Sequence, residues 1–143
     1  MTTFFILMTL VGFIIGLGAV TIIDIHGFLA RTSSYWTEAT TRTHKITKPM
    51  IWIGLVLVII GVGNLYTGDI LRLQLGLFFV MIINGIFLSF YVSPFLMNQE
   101  QQGDSAKILP QSLQKKITLS FVISVLSWWG SVAVFVYMIS HIN

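Results

Sequence analysis

The chain has 143 residues, 55% of them hydrophobic and 9% charged, with a mean hydropathy of +0.88. A soluble domain carries about 25% charged residues, so this composition excludes an ordinary water-solvated surface. The net charge of +3 does not argue for nucleic acid, because the basic residues sit in short segments between apolar runs. The lack of cysteine removes disulfides, thiolate metal sites and cysteine nucleophiles.

A helix rises 1.5 Å per residue, so about 20 apolar residues cross a hydrocarbon core of ~30 Å. The first such run extends from Phe4 to about Ala30. It has no Lys or Arg at its start and no convincing cleavage site, and it exceeds the ~7–15 residues of a signal-peptide core. It is therefore predicted to be a retained span. Residues 31–48 follow as a polar, threonine-rich connection carrying Arg31, Arg42, Lys45 and Lys48 against Glu38. The second run extends from Pro49 to Tyr66, with Pro49 suited to a first helical turn. Thr67, Gly68 and Asp69 form a turn so short that spans two and three are predicted to be antiparallel neighbours. The third run extends from Ile70 to Met97, and Pro94 is expected to kink or end it. Residues 98–116 form a second polar connection, and the fourth run covers Ile117 to Ile139. Each run is apolar all round rather than alternating, which favours helices over barrel strands. The predicted fold is all-α and polytopic. One domain over residues 1–143 holds four transmembrane helices (4–30, 49–66, 70–97 and 117–139) in an antiparallel bundle.

Of the eight Lys and Arg residues, only Arg72 lies outside the two longer connections and their immediate flank. The positive-inside rule then places 31–48 and 98–116 in the cytoplasm and both termini outside the cell (inner) membrane. Tyr35, Trp36, Trp52 and Tyr91 are expected at one headgroup level, and Tyr66 and Tyr137 at the other. Trp128 and Trp129 fall mid-span and are expected to pack against other helices.

Helices in lipid associate through close backbone approach and interhelical hydrogen bonds, so small residues at helical spacing mark seams. Gly12, Gly16, Ala19, Gly27 and Ala30 share a face of the first span, and Gly54, Gly61 and Gly68 recur at heptad spacing. Gly85, Ser89 and Ser93 follow at successive i+4 positions. Ser120, Ser124, Ser127 and Ser131 fall within about 60° of arc on an ideal helix. This stripe reads first as a packing seam whose hydroxyls bond back to their own helix. The sharper alternative is a polar track along a ligand or water path.

Ionisable groups within spans cost about 2.5–3.5 kcal/mol on insertion scales and are functional candidates by default. Asp24 is the one acid inside a predicted span. It either reaches the interface or pairs with Arg31 or Arg42 near the boundary, or it forms a proton or cation site. His26 and His44 lie at the same membrane side, and with Glu38 they are the candidates for a metal or haem site. Asp24 and His26, two residues apart, point to nearly opposite sides of a helix, and His141 lies at the far side. Asn84, mid-span with Tyr91 on the same face, is expected to fix helix register or to line a pocket with Asn64. The segment from Ser33 to Lys45, with Tyr35 and Trp36, suits a short helix at an anionic membrane surface or a docking surface.

The pattern of His26-Gly27-Phe28-Leu29, His44-Lys45, Lys48-Pro49, Asn84-Gly85 and Tyr91-Val92-Ser93-Pro94 resembles a group of small uncharacterised prokaryotic four-span membrane proteins. The resemblance implies the four-span fold and carries over no activity, cofactor or functional residue. The leading expectation is a non-enzymatic small subunit or oligomeric scaffold, packing through its Gly and Ser stripes and binding no cofactor. Its partners would be the lipid bilayer and either further copies or a larger membrane complex, without nucleic acid. One alternative is a redox protein holding haem b or a divalent metal at His26 and His44. Another is an oligomeric transporter or channel lined by Asp24, Asn84 and the serine stripe.

Overall fold

The computed structural model describes residues 1–141, and these are all-helical. The helices are α1 (Thr2–Leu29), α2 (Ser34–Leu65), α3 (Gly68–Phe87), α4 (Ser93–Gln101) and α5 (Gln111–Ser140). A five-residue π-turn, Leu88–Val92, joins α3 to α4. With α3, the π-turn and α4 taken as one rod, four helices are long and apolar enough to cross a membrane. The final two positions of the 1–143 domain lie outside the described residues.

The expected connection 31–48 is largely helix. α2 starts at Ser34 and carries Pro49 in its interior rather than in its first turn. The threonines explain why so polar a segment can be a packed helix. Thr37, Thr40, Thr41 and Thr47 each donate to the carbonyl four residues earlier, at 2.7–3.1 Å. Their hydroxyls are thereby satisfied within the helix, and all four side chains are buried. Thr37 also donates to Ala30 O at 3.1 Å, which fastens the turn between α1 and α2.

α1 and α2 pack most closely, through glycine. A Cβ on Gly12 would lie 2.8 Å from both the Gly54 carbonyl oxygen and the Val58 backbone nitrogen, and one on Gly54 would run into the Gly16 backbone. Gly61 is likewise filled by Thr9. On its other side Gly16 meets the Trp128 ring of α5. α3 packs on α5, where Gln74 donates to Ser131 Oγ and Asn84 meets Ser120. Spans two and three, joined by the short turn at Gly68 (φ +62°), touch mainly where Trp52 meets Gly85 and Ser89. Each has a different principal partner, because the glycine face of α2 is complementary to α1 and not to α3.

The main core comprises Phe13, Val20, Leu55, Val58, Phe78, Met81, Trp128 and Phe135, among others. A smaller cluster of Val92, Leu96, Leu109, Leu113 and Ile117 closes the end that carries most of the basic residues. One aromatic expectation is corrected: Trp129 is exposed, since its neighbour Trp128 takes the inward position. Tyr66, at the C-terminal end of α2, is buried against the core.

Candidate functional site: a polar cavity among the helices

Between the helices, in the half nearer the basic end, lies a cavity of about 60 Å³. Asp24 comes to it from α1, and Thr40, His44, Lys48 and Trp52 from α2. Asn84 of α3, Ser89 of the π-turn and Ser124 of α5 complete its polar wall. The α2 set follows from spacing: positions 40, 44, 48 and 52 are successive i+4 neighbours on one helix face.

Most of these groups are already partnered. Asn84 accepts a hydrogen bond from Ser120 Oγ at 2.6 Å and donates to Ser120 O at 3.3 Å. Trp52 Nε1 donates to Ser89 Oγ at 3.1 Å. Lys48 Nζ donates to the Ser89 carbonyl at 3.2 Å, and the chain dictates why that oxygen is free. The Ser93 N–H bonds to Leu88 O in the π register, so it is unavailable to Ser89 O. The next candidate donor is residue 94, a proline, which has no N–H. The expected disturbance at Pro94 is therefore a π-turn with an orphan carbonyl, and Lys48 satisfies it.

Two buried polar atoms of the cavity remain without a partner. His44, 7% exposed, has Nε2 buried without a partner, as does Ser124 at Oγ. The Asp24 carboxyl, 9% exposed, faces the Ser124 hydroxyl. Among the described residues Asp24 has no ion pair. Arg31 donates to Phe28 O and lies over the Phe28 ring, while Arg42 pairs with Glu38. The expectation that Asp24 pairs with either arginine is thus corrected, because both guanidinium groups turn outward to nearer partners. Serine, histidine and aspartate share this cavity, but no hydrogen bond joins Ser124 to His44, so they are not assembled as a nucleophile and base.

The other sequence candidates scatter. His26 does not line the cavity, and its ring lies 5.1 Å from that of Trp36. Glu38 is engaged with Arg42 at the surface. Among the described residues no group of three His, Asp or Glu side chains is placed to hold a metal ion, so His26, His44 and Glu38 are not brought together. Asn64 is exposed and bonds to Ile60 O instead of reaching Asn84. Tyr91 turns outward to Lys116 Nζ, 3.1 Å from its hydroxyl.

The serine stripe is buried along its whole length, but only Ser127 of the four bonds to its own helix, donating to Ser124 O at 3.2 Å. Ser120 and Ser131 serve α3, and Ser124 opens on the cavity. Sequence reasoning passed over Lys48, Thr40 and Trp52, although their i+4 spacing from His44 was a usable signal. It also passed over Gln74, a fully buried amide in the third run. The chain matches no protein-family model, no curated protein and no solved structure.

Proposed function

We propose that the chain is an integral membrane protein of the cell membrane, an antiparallel four-span bundle with both termini outside. We further propose that it works as a small carrier or channel whose binding station is the Asp24–His44–Ser124 cavity. The observation that carries this reading is the meeting of two buried, unpartnered atoms, His44 Nε2 and Ser124 Oγ, with the Asp24 carboxyl on one small space. A carboxyl group in a spanning segment costs about 2.5–3.5 kcal/mol on insertion scales, and among the described residues no ion pair offsets it. The glycine and serine stripes support a carrier over a scaffold. Gly12, Gly16, Gly54, Gly61 and the four serines of α5 are packed within one chain, so these positions offer no seam to a second copy, whereas Gly68 is open.

The test is flux in proteoliposomes, measured separately for H⁺, Na⁺, K⁺ and ammonium under an imposed potential. Wild-type protein is expected to pass at least one of them, and Asp24→Asn to reduce that flux to the level of empty vesicles. Equal flux in both proteins, or none in either, sinks the carrier reading and returns the protein to a structural role.

A further inference from the structure

Resting on the reading of the cavity as a binding station, we infer that its ligand is a hydrogen ion, shared through bound water between the Asp24 carboxyl and His44 Nε2, with the Ser124 hydroxyl as a third contact. Size is the first argument. A space of about 60 Å³ holds about two waters at ~30 Å³ each, and less than half of a cavity that admits benzene, ~150 Å³. An organic solute does not fit between these helices as they are packed.

The donor set is the second argument. Of the lining oxygens, Ser89 O and Oγ and Asn84 Oδ1 are already accepting hydrogen bonds. The two Asp24 oxygens, Ser124 Oγ and the lone pairs of Thr40 remain, short of the six to eight oxygens that Ca²⁺ takes. A catalytic zinc site needs three protein ligands, and only His44 and Asp24 are of a suitable type. The Lys48 ammonium in the same wall opposes any added positive charge, a bound Na⁺ or K⁺ and an imidazolium at His44 alike. Water and a proton ask for less: hydrogen-bonding groups facing one small space, two of them able to change protonation. Among the lining residues the ionisable groups are Asp24 from α1 and His44 and Lys48 from α2. The walls from α3, the π-turn, α4 and α5 contribute none.

The transfer balances without a co-reactant. The O–H bond of the Asp24 carboxylic acid breaks and its proton passes to a bound water. That water gives a proton to His44 Nε2, leaving a carboxylate and an imidazolium. No electrons change owner.

The experiment is pH-titrated infrared difference spectroscopy on the full chain in lipid nanodiscs. A protonated-carboxyl band is expected in wild type and its loss in Asp24→Asn. His44→Gln is expected to move the band's midpoint by about one pH unit or more, the scale of a nearby charge. His26→Gln, outside the cavity, leaves it in place. A band that survives Asp24→Asn, ignores His44→Gln, or is displaced by Na⁺ or K⁺ at fixed pH overturns the inference. Solid-state NMR of wild type gives a reading that needs no variant: Nε2 of His44 should exchange magnetisation with water, and a dry Nε2 overturns it. If the band behaves as expected while the liposomes show no flux, the proton site stands and the carrier reading falls. If flux depends on Asp24 while the band ignores His44, the carrier stands and the shared proton falls.

Discussion

A methyl group added at Gly54 has no space, because it meets the Gly16 backbone, which cannot swing aside as a side-chain tip can. Gly18, six positions beyond Gly12 on α1, has nothing within 4 Å of the same added carbon. The two substitutions should therefore differ in sign. Gly54→Ala should lower unfolding stability by about 1–3 kcal/mol, the usual cost of overpacking. Gly18→Ala should be neutral or raise it by up to about 1 kcal/mol through helix propensity. Thermal or denaturant unfolding in mild detergent checks both, and a Gly54→Ala protein as stable as wild type would remove the close approach of α1 and α2. Only half of this was legible in the sequence. The Gly12–Gly16 spacing announces a seam, but a seam does not name its partner. That the partner is Gly54 of the same chain, and not Gly12 of another copy, depends on three-dimensional complementarity. The same holds for the site. Asp24, His44, Asn84 and Ser124 each stood out as polar residues in or beside apolar runs. Their meeting at one cavity needed the helix rotations that packing sets.

The rod formed by α3, the π-turn and α4 shows how one proline shapes a site far from it in sequence. Pro94 cannot donate to Ser89 O, the π register commits Ser93 N–H elsewhere, and Lys48 of α2 takes the vacant acceptor. Removing Lys48 should then leave a buried carbonyl unpaired, at about 1–3 kcal/mol. In a Pro94→Ala background a backbone N–H becomes available five residues after Ser89, so Lys48→Met should cost less there. A double-mutant cycle is expected to show coupling of about 0.5 kcal/mol or more, whereas strictly additive costs would detach Lys48 from the π-turn. At this scale the sequence was informative about the apolar runs and misleading about their ends. Helix limits were set by where hydrophobicity stopped, yet α2 continues through Thr47, His44, Thr41 and Thr37. Threonines that bond back to their own helix look polar in composition and behave as packable methyl-bearing residues in the fold. Hydropathy cannot see that difference, although four threonines at helical spacing could have suggested it.

For the whole molecule, if it spans the cell membrane as proposed, the question is which end of the bundle faces the cytoplasm, since that would fix which compartment lies nearer the cavity. The basic residues Arg31, Arg42, Lys45, Lys48, Lys107, Lys115 and Lys116 fall at the end where α1 finishes and α5 begins, and Arg72 falls near the other. The cavity sits in the basic half, bounded by Leu96, Leu109 and Ile117 on that side. In the orientation proposed from the positive-inside rule the Asp24 site would lie closer to the cytoplasm, and a proton reaching it from outside would have to pass the longer apolar core around Val58, Phe13 and Phe135. The chain has no cysteine, so single introduced thiols report position without background. Asp69, whose side chain is 95% exposed in the first turn of α3, and Gln102, exposed beyond α4, mark the two ends. In intact cells a membrane-impermeant maleimide is expected to label Asp69→Cys and to leave Gln102→Cys untouched until the membrane is opened. The reverse pattern would invert the protein and make the cavity a station near the external face, with the basic end meeting whatever the cell encounters outside. Equal labelling of both thiols in intact cells would place neither end behind a barrier, and the chain would then not span the membrane in a single orientation.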